Sequence, residues 1–321
     1  MPEPQESLLN ALQKTAPRQL WAGYAYGALG SAFFATKSII IKLALLENID
    51  AVTTLTWRMI IAVPFFAIIG WLGYRDRTLK SPGFRIRRAA LIQAALIGTI
   101  GYYLASYLDF TGLKYISAQL NRLILLTYPI FVVLIGAFFF QRKITPSMLG
   151  ALVISYTGLA VIFTHDLRLE GENIALGATL VLGAAIAFAT YQILAKPLID
   201  EMGARLFTSI AMSAAGLAVA VHFLLTHQIS DLMVSANAMW LMLAMGTVST
   251  VLPAYLISAS IGHIGPEPTA VMGNVSPLVT IVLAVTILGE VFSIWHALGA
   301  TMVLAGILFF TRAAKRRPPS A

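Results

Sequence analysis

Ten runs of about 20 mostly apolar residues follow one another along this chain, separated by short polar turns, and few folds accommodate that pattern. A helix needs about 20 such residues to cross the hydrocarbon core of a bilayer. The runs fall at 21–46, 51–72, 89–111, 116–140, 145–164, 173–195, 203–225, 234–260, 267–289 and 292–312. A water-soluble domain carries roughly 25% charged residues. This chain of 321 residues carries 11%, against 58% hydrophobic. The expectation is an all-α polytopic membrane protein with ten transmembrane helices. Residues 1–20 form a tail, read either as a short interfacial helix with Leu8, Leu9 and Leu12 on one face or as a disordered segment.

The formal net charge of +8 raises nucleic acid as a partner, but the cations sit in turns between apolar runs rather than on one stripe. Anionic headgroups and topology explain that placement better. If the N-terminus is cytoplasmic, 16 of the 22 Lys and Arg fall on that side, 2 (Lys114 and Arg168) fall on the other, and 4 lie inside the runs. Such a bias places both termini in the cytoplasm and the chain in the inner membrane. The longest expected connection, 73–88, alone holds Arg75, Arg77, Lys80, Arg85, Arg87 and Arg88. There are no cysteines, which excludes disulfides, thiolate metal sites and cysteine nucleophiles.

A shift of 148 residues aligns Tyr107 with Tyr255, Leu108 with Leu256, Ile116 with Ile264 and Pro129 with Pro277. Near the start of each half a shift of 154 aligns FFATKSIIIK with AFATYQILAK, matching Thr36 to Thr190 and Lys42 to Lys196. Two five-span units follow, 21–168 and 169–312, with a basic tail at 313–321. Five is odd, so the second unit enters the membrane upside down, the arrangement of alternating-access carriers.

The stretches LKYISAQLNRLILLTYPIFVVLIGAFFF and PSMLGALVISYTGLAVI, with their partner IGHIGPEPTAVMGNVSPLVTIVLAVTILGEVFSIWHALGATMVLAGILFF, resemble the drug/metabolite transporter superfamily and its EamA-type ten-span exporters. The TWRMIIA start of the second run looks like that family's arginine-bearing second helix. Among its branches the chain is most similar to the YddG-type amino-acid exporters. The resemblance implies a central cavity lined mainly by spans 1–4 and 6–9. One departure stands out: the acidic residue that often ends the fourth span is present in the second half as Glu290, whereas the first half has Gln141 and Arg142.

A Lys or Arg at mid-membrane costs about 2.5–3.5 kcal/mol on insertion scales. Lys37, Arg58 and Arg122 should therefore face a wet cavity, a carbonyl or a carboxylate. Arg122, beside Asn121, reads either as a fork for a substrate carboxylate or phosphate, or as a contact to Asp109 near the rim. Lys42 and Lys196 read as snorkelling cations, and Arg58 either as structural or as substrate-binding. Tyr103 and Tyr107, four apart and on one face beside Tyr102, stack either on a substrate or in an interfacial belt. Thr36, Tyr191, Gln192, Tyr255, Asn274 and Ser276 add polar capacity; together with Lys37 and the span-4 pair they point to one shared cavity. Pro129 and Pro277, midway along their runs, read as paired hinges.

Asp109, Glu267 and Glu290 fall near run ends, which leaves a carboxylate proton relay poorly supported, and His222 reads as a packing residue. No metal-ligand cluster, phosphate loop or nucleophile–base set appears, so neither catalysis nor a cofactor is expected. The expected function is export of amino acids or similar small zwitterions. The rival substrate is an organic phosphate or nucleotide-linked sugar, and the rival class is a scaffold or an intramembrane enzyme. The expected partners are the lipid bilayer and a small-molecule substrate, with the chain a monomer or weak homodimer.

Overall fold

The computed structural model describes residues 4–80, 83–128, 130–131, 134–135, 146–170, 173–264, 272–273 and 275–315. The described residues are helical throughout, without strands. In chain order the helices are α1 (Pro4–Leu46), α2 (Ala51–Lys80), α3 (Arg88–Gly112), α4 (Ala118–Leu125), α5 (Pro146–Glu170), α6 (Ile174–Met202), α7 (Ala204–Thr226), α8 (236–264), α9 (Val275–Leu288) and α10 (Ile294–Lys315). Six of them, α1, α2, α3, α6, α7 and α8, are long and apolar enough to cross a membrane; α5, α9 and α10 contain shorter apolar stretches.

Two boundaries differ from expectation. The segment expected to leave the membrane as a loop at residue 73 stays helical to Lys80. Arg, Leu and Lys are good helix formers, so α2 continues into water after its apolar stretch ends. The tail is part of the first helix, which runs unbroken from Pro4.

The patterning is that of a protein with lipid outside and polarity inside. Leu217 (68%), Trp240 (72%) and Ile92 (59%) are exposed on the flanks, while Arg58 (3%), Asp109 (2%) and Asn121 (0%) are buried at the centre. Large apolar side chains exposed on many helices need hydrocarbon to cover them.

Packing repeats between the halves. α1 lies against α8, as α3 lies against α6; α1 also meets α9, as α6 meets α4. α2 packs on α7 and α5 on α10. Exchanging each helix for the one five places along maps these pairs onto one another. The local backbone repeats too. α3 carries a π-helical turn at Thr99–Leu104 and α8 one at Thr247–Val251, and Thr99 and Thr247 are separated by the same 148 residues as the sequence repeat. A glycine precedes each turn. A Cβ on Gly98 would strike the backbone of Ala211 in α7, and one on Gly246 would strike Ile61 in α2. The π-turns therefore sit where α3 and α8 press most closely on the opposite half.

One end of the bundle collects the turns around 47–50, 113–117, 227–235 and 289–293. Asp50 caps α2 through Val52 N (2.7 Å), Thr53 N (3.1 Å) and the Thr53 hydroxyl (2.6 Å), and lies 3.3 Å from His227 Nε2 at the end of α7. Burial pushes its carboxyl up, but these hydrogen bonds outweigh that and hold it below its usual value. At the opposite end, Arg87 grips Glu201 through two bonds of 2.8 and 2.6 Å, and Arg77 donates to the Glu201 carbonyl at 3.3 Å. That end also holds the basic residues expected to face the cytoplasm.

Candidate functional site

α3 presents Tyr102, Ser106 and Asp109 along one face, at i, i+4 and i+7, toward the bundle centre. Asp109 lies three residues before the end of α3, near the span end as expected, and its side chain is closed off among α1, α3 and α4, because Lys37 and Asn121 both reach it. Lys37 Nζ donates to Asp109 Oδ2 at 2.6 Å, and Asn121 Nδ2 donates to Oδ1 at 2.7 Å. Ser38 in turn donates to Asn121 Oδ1 at 3.2 Å. Three helices are thus tied to one carboxylate. A buried ion pair is tolerated when further hydrogen bonds saturate it in this way.

The two arginines are held differently. Arg58 Nε donates to the Thr250 hydroxyl at 3.0 Å and its Nη1 to the Ser106 hydroxyl at 2.9 Å, joining α2 to α8 and α3. Arg122 Nη2 donates to the Ser276 hydroxyl at the start of α9. Neither guanidinium has a carboxylate within 4 Å among the described residues. Aromatic faces line the cations: Phe34 lies 5.1 Å from Lys37 Nζ and 5.2 Å from the Arg122 guanidinium carbon, and Phe110 lies 5.8 Å from both Lys37 and Arg58. Arg122 Nε and both amide atoms of Gln119 are buried without a hydrogen-bond partner among the described residues. Such orphans are uncommon in interiors and ask for an explanation.

The second half contributes hydroxyls. Thr36 and Ser249 share a hydrogen bond of 2.7 Å across α1 and the α8 π-turn, and Thr280 donates to the Ala35 carbonyl at 3.3 Å. The cluster therefore spans the halves: charges come from α1 to α4, and hydroxyls from α8 and α9. Its principal groups are 8% exposed or less, so solute reaches them only after the bundle opens. At the capped end of the bundle, Glu290 provides one closure. Its carboxylate accepts from Ala118 N (2.7 Å) and Gln119 N (3.3 Å), capping α4 beside the N-cap Ser117. The acid that departs from the repeat thus bonds one half to the other. A carboxylate at a helix N-terminus satisfies free amides and meets the positive end of the dipole.

The expected site residues divide. Lys37, Asn121, Arg122, Ser276 and Thr36 come together, and Arg58 joins them. Tyr102 and Tyr191 form a second, neighbouring pair, with their hydroxyls 3.1 Å apart and their rings edge to face. Tyr103 and Tyr107 point away from the cations toward α7. Tyr103 bonds His222 Nδ1 at 3.0 Å, the Tyr107 ring lies 5.0 Å from the His222 ring, and the two tyrosines stack with centroids 6.4 Å apart. Tyr103 and His222 help line a largely apolar flank cleft of about 560 Å³ between α3 and α7. Tyr255 is 41% exposed on α8, outside the cluster. Lys42 is half-buried on α1. Pro277 lies in the first turn of α9, where a missing N–H breaks no helical bond, so the span is interrupted ahead of it rather than kinked by it. Pro129, Asn274 and the side chains of Gln192 and Lys196 lie outside the described residues. Sequence reasoning missed Ser38, Ser106, Ser249, Thr250 and the capping role of Glu290.

The EamA-like transporter family matches residues 21–164 and again 175–312. An uncharacterized transporter of Bacillus subtilis, YcbK, is 27% identical over 91% of this chain and 93% of its own length. A second from that organism, YyaM, is 22% identical over 78% and 81%. A further uncharacterized transporter, from Clostridium kluyveri, is 20% identical over 88% and 91%. Among solved structures, one crystal structure shares the fold with a TM-score of 0.61 over 93% of this chain and 99% of the other, at 15% identity. Apolar flanks, a polar interior enclosed by two similarly packed halves and these matches agree: the chain belongs to the EamA-like transporter family.

Proposed function

We propose that this transporter exports small polar metabolites bearing an anionic group, amino acids among them, across the cytoplasmic membrane by alternating access between inverted halves. The observation that carries the reading is the buried cluster of Lys37, Arg58 and Arg122 around a single carboxylate, with hydroxyls from the opposite half as its other partners. Charge of this kind inside a membrane protein marks a substrate path. Arg122, whose Nε has no partner among the described residues and whose neighbour Gln119 is likewise unsatisfied there, is the group that receives the anion. A guanidinium offers a paired donor fork for a carboxylate. Thr36, Ser249 and Ser276 supply hydroxyls to the rest of the solute, and Tyr102 with Tyr191 bounds the path on the α6 side.

Alternation follows from the repeated packing. In this reading the bond from Glu290 to the α4 N-terminus holds the outer face shut, and its release lets α4 and α9 separate there. The equivalent rearrangement at the other face uses the breaks before Pro129 and Pro277. Purified protein in liposomes tests the reading. Amino acids and small organic acids loaded inside should drive counterflow of labelled solute, and Arg122→Gln should abolish it while the variant still elutes as a folded species. Counterflow retained in Arg122→Gln would exclude the cluster as the substrate site.

A further inference from the structure

Resting on that reading of the cluster, we propose that the site selects small dianions, carrying two negative charges, over zwitterions. Among the described residues, three buried cations face one carboxylate. Asp109 neutralises Lys37 and is saturated by Lys37 and Asn121, whereas the hydrogen bonds of Arg58 and Arg122 among the described residues go to the hydroxyls of Thr250, Ser106 and Ser276. Arginine does not lose its proton in proteins, so both guanidinium charges persist. Two buried charges without counter-charge are costly, and a ligand that supplies the missing charge recovers that cost on binding.

A zwitterion does not fit this balance. It adds no net charge, and its ammonium would need an acceptor in a field already positive. The one carboxylate there among the described residues is occupied on both oxygens. A dianion closes the balance and finds donors at Arg122 Nε and Gln119 Nε2, unpaired among the described residues, with Gln119 Oε1 left to accept a hydroxyl of the solute. Phosphate monoesters and dicarboxylates share this chemistry.

The test is counterflow by the wild-type chain in liposomes against a size-matched panel: alanine as zwitterion, lactate as monoanion, succinate as dicarboxylate and glycerol phosphate as phosphate monoester. At least one dianion should exchange roughly tenfold faster than alanine, the margin of one charge-assisted hydrogen bond. The succinate and glycerol phosphate arms show which dianion is meant. If it is the phosphate monoester, lowering the pH below the second phosphate pKa of about 6 should erase most of its advantage. Arg58→Gln removes one positive charge and should move the preference toward lactate. The wild-type panel decides the question even if that variant fails to fold. Alanine matching or exceeding both dianions overturns the proposal and leaves the transporter reading standing. An absence of flux for every solute, with none shifting the melting temperature, overturns both.

Discussion

The π-turns at Thr99–Leu104 and Thr247–Val251 occupy matched places in the two halves, yet the halves that carry them differ in chemistry. The first half supplies Lys37, Arg58, Asp109, Asn121 and Arg122, all buried. At the positions that the repeat pairs with Lys37, Asp109, Asn121 and Arg122, the second half carries Tyr191, Ile257, Thr269 and Ala270. The second half contributes hydroxyls: in its turn Ser249 bonds Thr36 and Thr250 accepts from Arg58, both partners coming from the first half. Backbone and helix contacts are thus duplicated, while charge is concentrated on one side. A path that opens to either face needs two similar gates and only one binding site. In the proposed reading, repeated packing serves the gates, and asymmetric chemistry builds the site.

Breaking the charged half should do the most damage. Removing Lys37 as Lys37→Ala strands Asp109 as a buried unpaired carboxylate and should cost about 3–5 kcal/mol. Replacing both partners, as Lys37→Met with Asp109→Leu, should recover most of that in thermal melts, because well-packed apolar replacements of a buried pair are often neutral. Arg122→Lys keeps the charge and loses the fork, and should lower transport by roughly tenfold or more. Ala270→Ser, at the paired position of the other half, should leave transport near wild type.

The duplicated half of the comparison is sharpened at the glycines. Gly98→Ala and Gly246→Ala should each destabilise by about 1–3 kcal/mol, with Gly98→Ala the larger, because its Cβ would meet the Ala211 backbone whereas that of Gly246→Ala would meet the Ile61 side chain. A larger loss at Gly246 in thermal melts would contradict that order. The smallest effect concerns Asp50. Its folded-state pKa lies below the unfolded value, so its stabilisation is present above the unfolded value of about 3.9 and is lost as pH falls through the folded one. Asp50→Asn should therefore lower the melting temperature modestly at pH 7 and converge on wild type in acid, which flattens the acid limb of the profile.

Much of the fold was legible because hydrocarbon thickness dictates helix length. α1, α3, α6, α7 and α10 end within a few residues of their apolar runs, apart from stretches that extend into water. The continuation of α2 through Arg75 and Arg77 was not legible, since hydropathy marks where lipid ends and not where a helix does. The π-turns arise from close packing between helices far apart in sequence, although the paired Gly98 and Gly246 were visible at the repeat spacing. In the site, Lys37, Arg58 and Arg122 stood out because buried charge is expensive. Asp109 lies near the end of its run as expected, and its spacing from Tyr102 and Ser106 puts it on their buried face, a burial that distance along the run did not reveal. The shared face of Tyr103 and Tyr107 was legible, but not its direction, because periodicity does not say which neighbour a stripe meets. Glu290 finds its partners in the other half, which no local pattern discloses.

The central claim is that one asymmetric cluster is reached in turn from both faces of the membrane. The chain has no cysteine, so a single Ser249→Cys variant reports on that directly through its labelling by a membrane-impermeant maleimide. Labelling from either face, slowed by transported solute on both, is the predicted result. Labelling confined to one face, unchanged by solute, would contradict it.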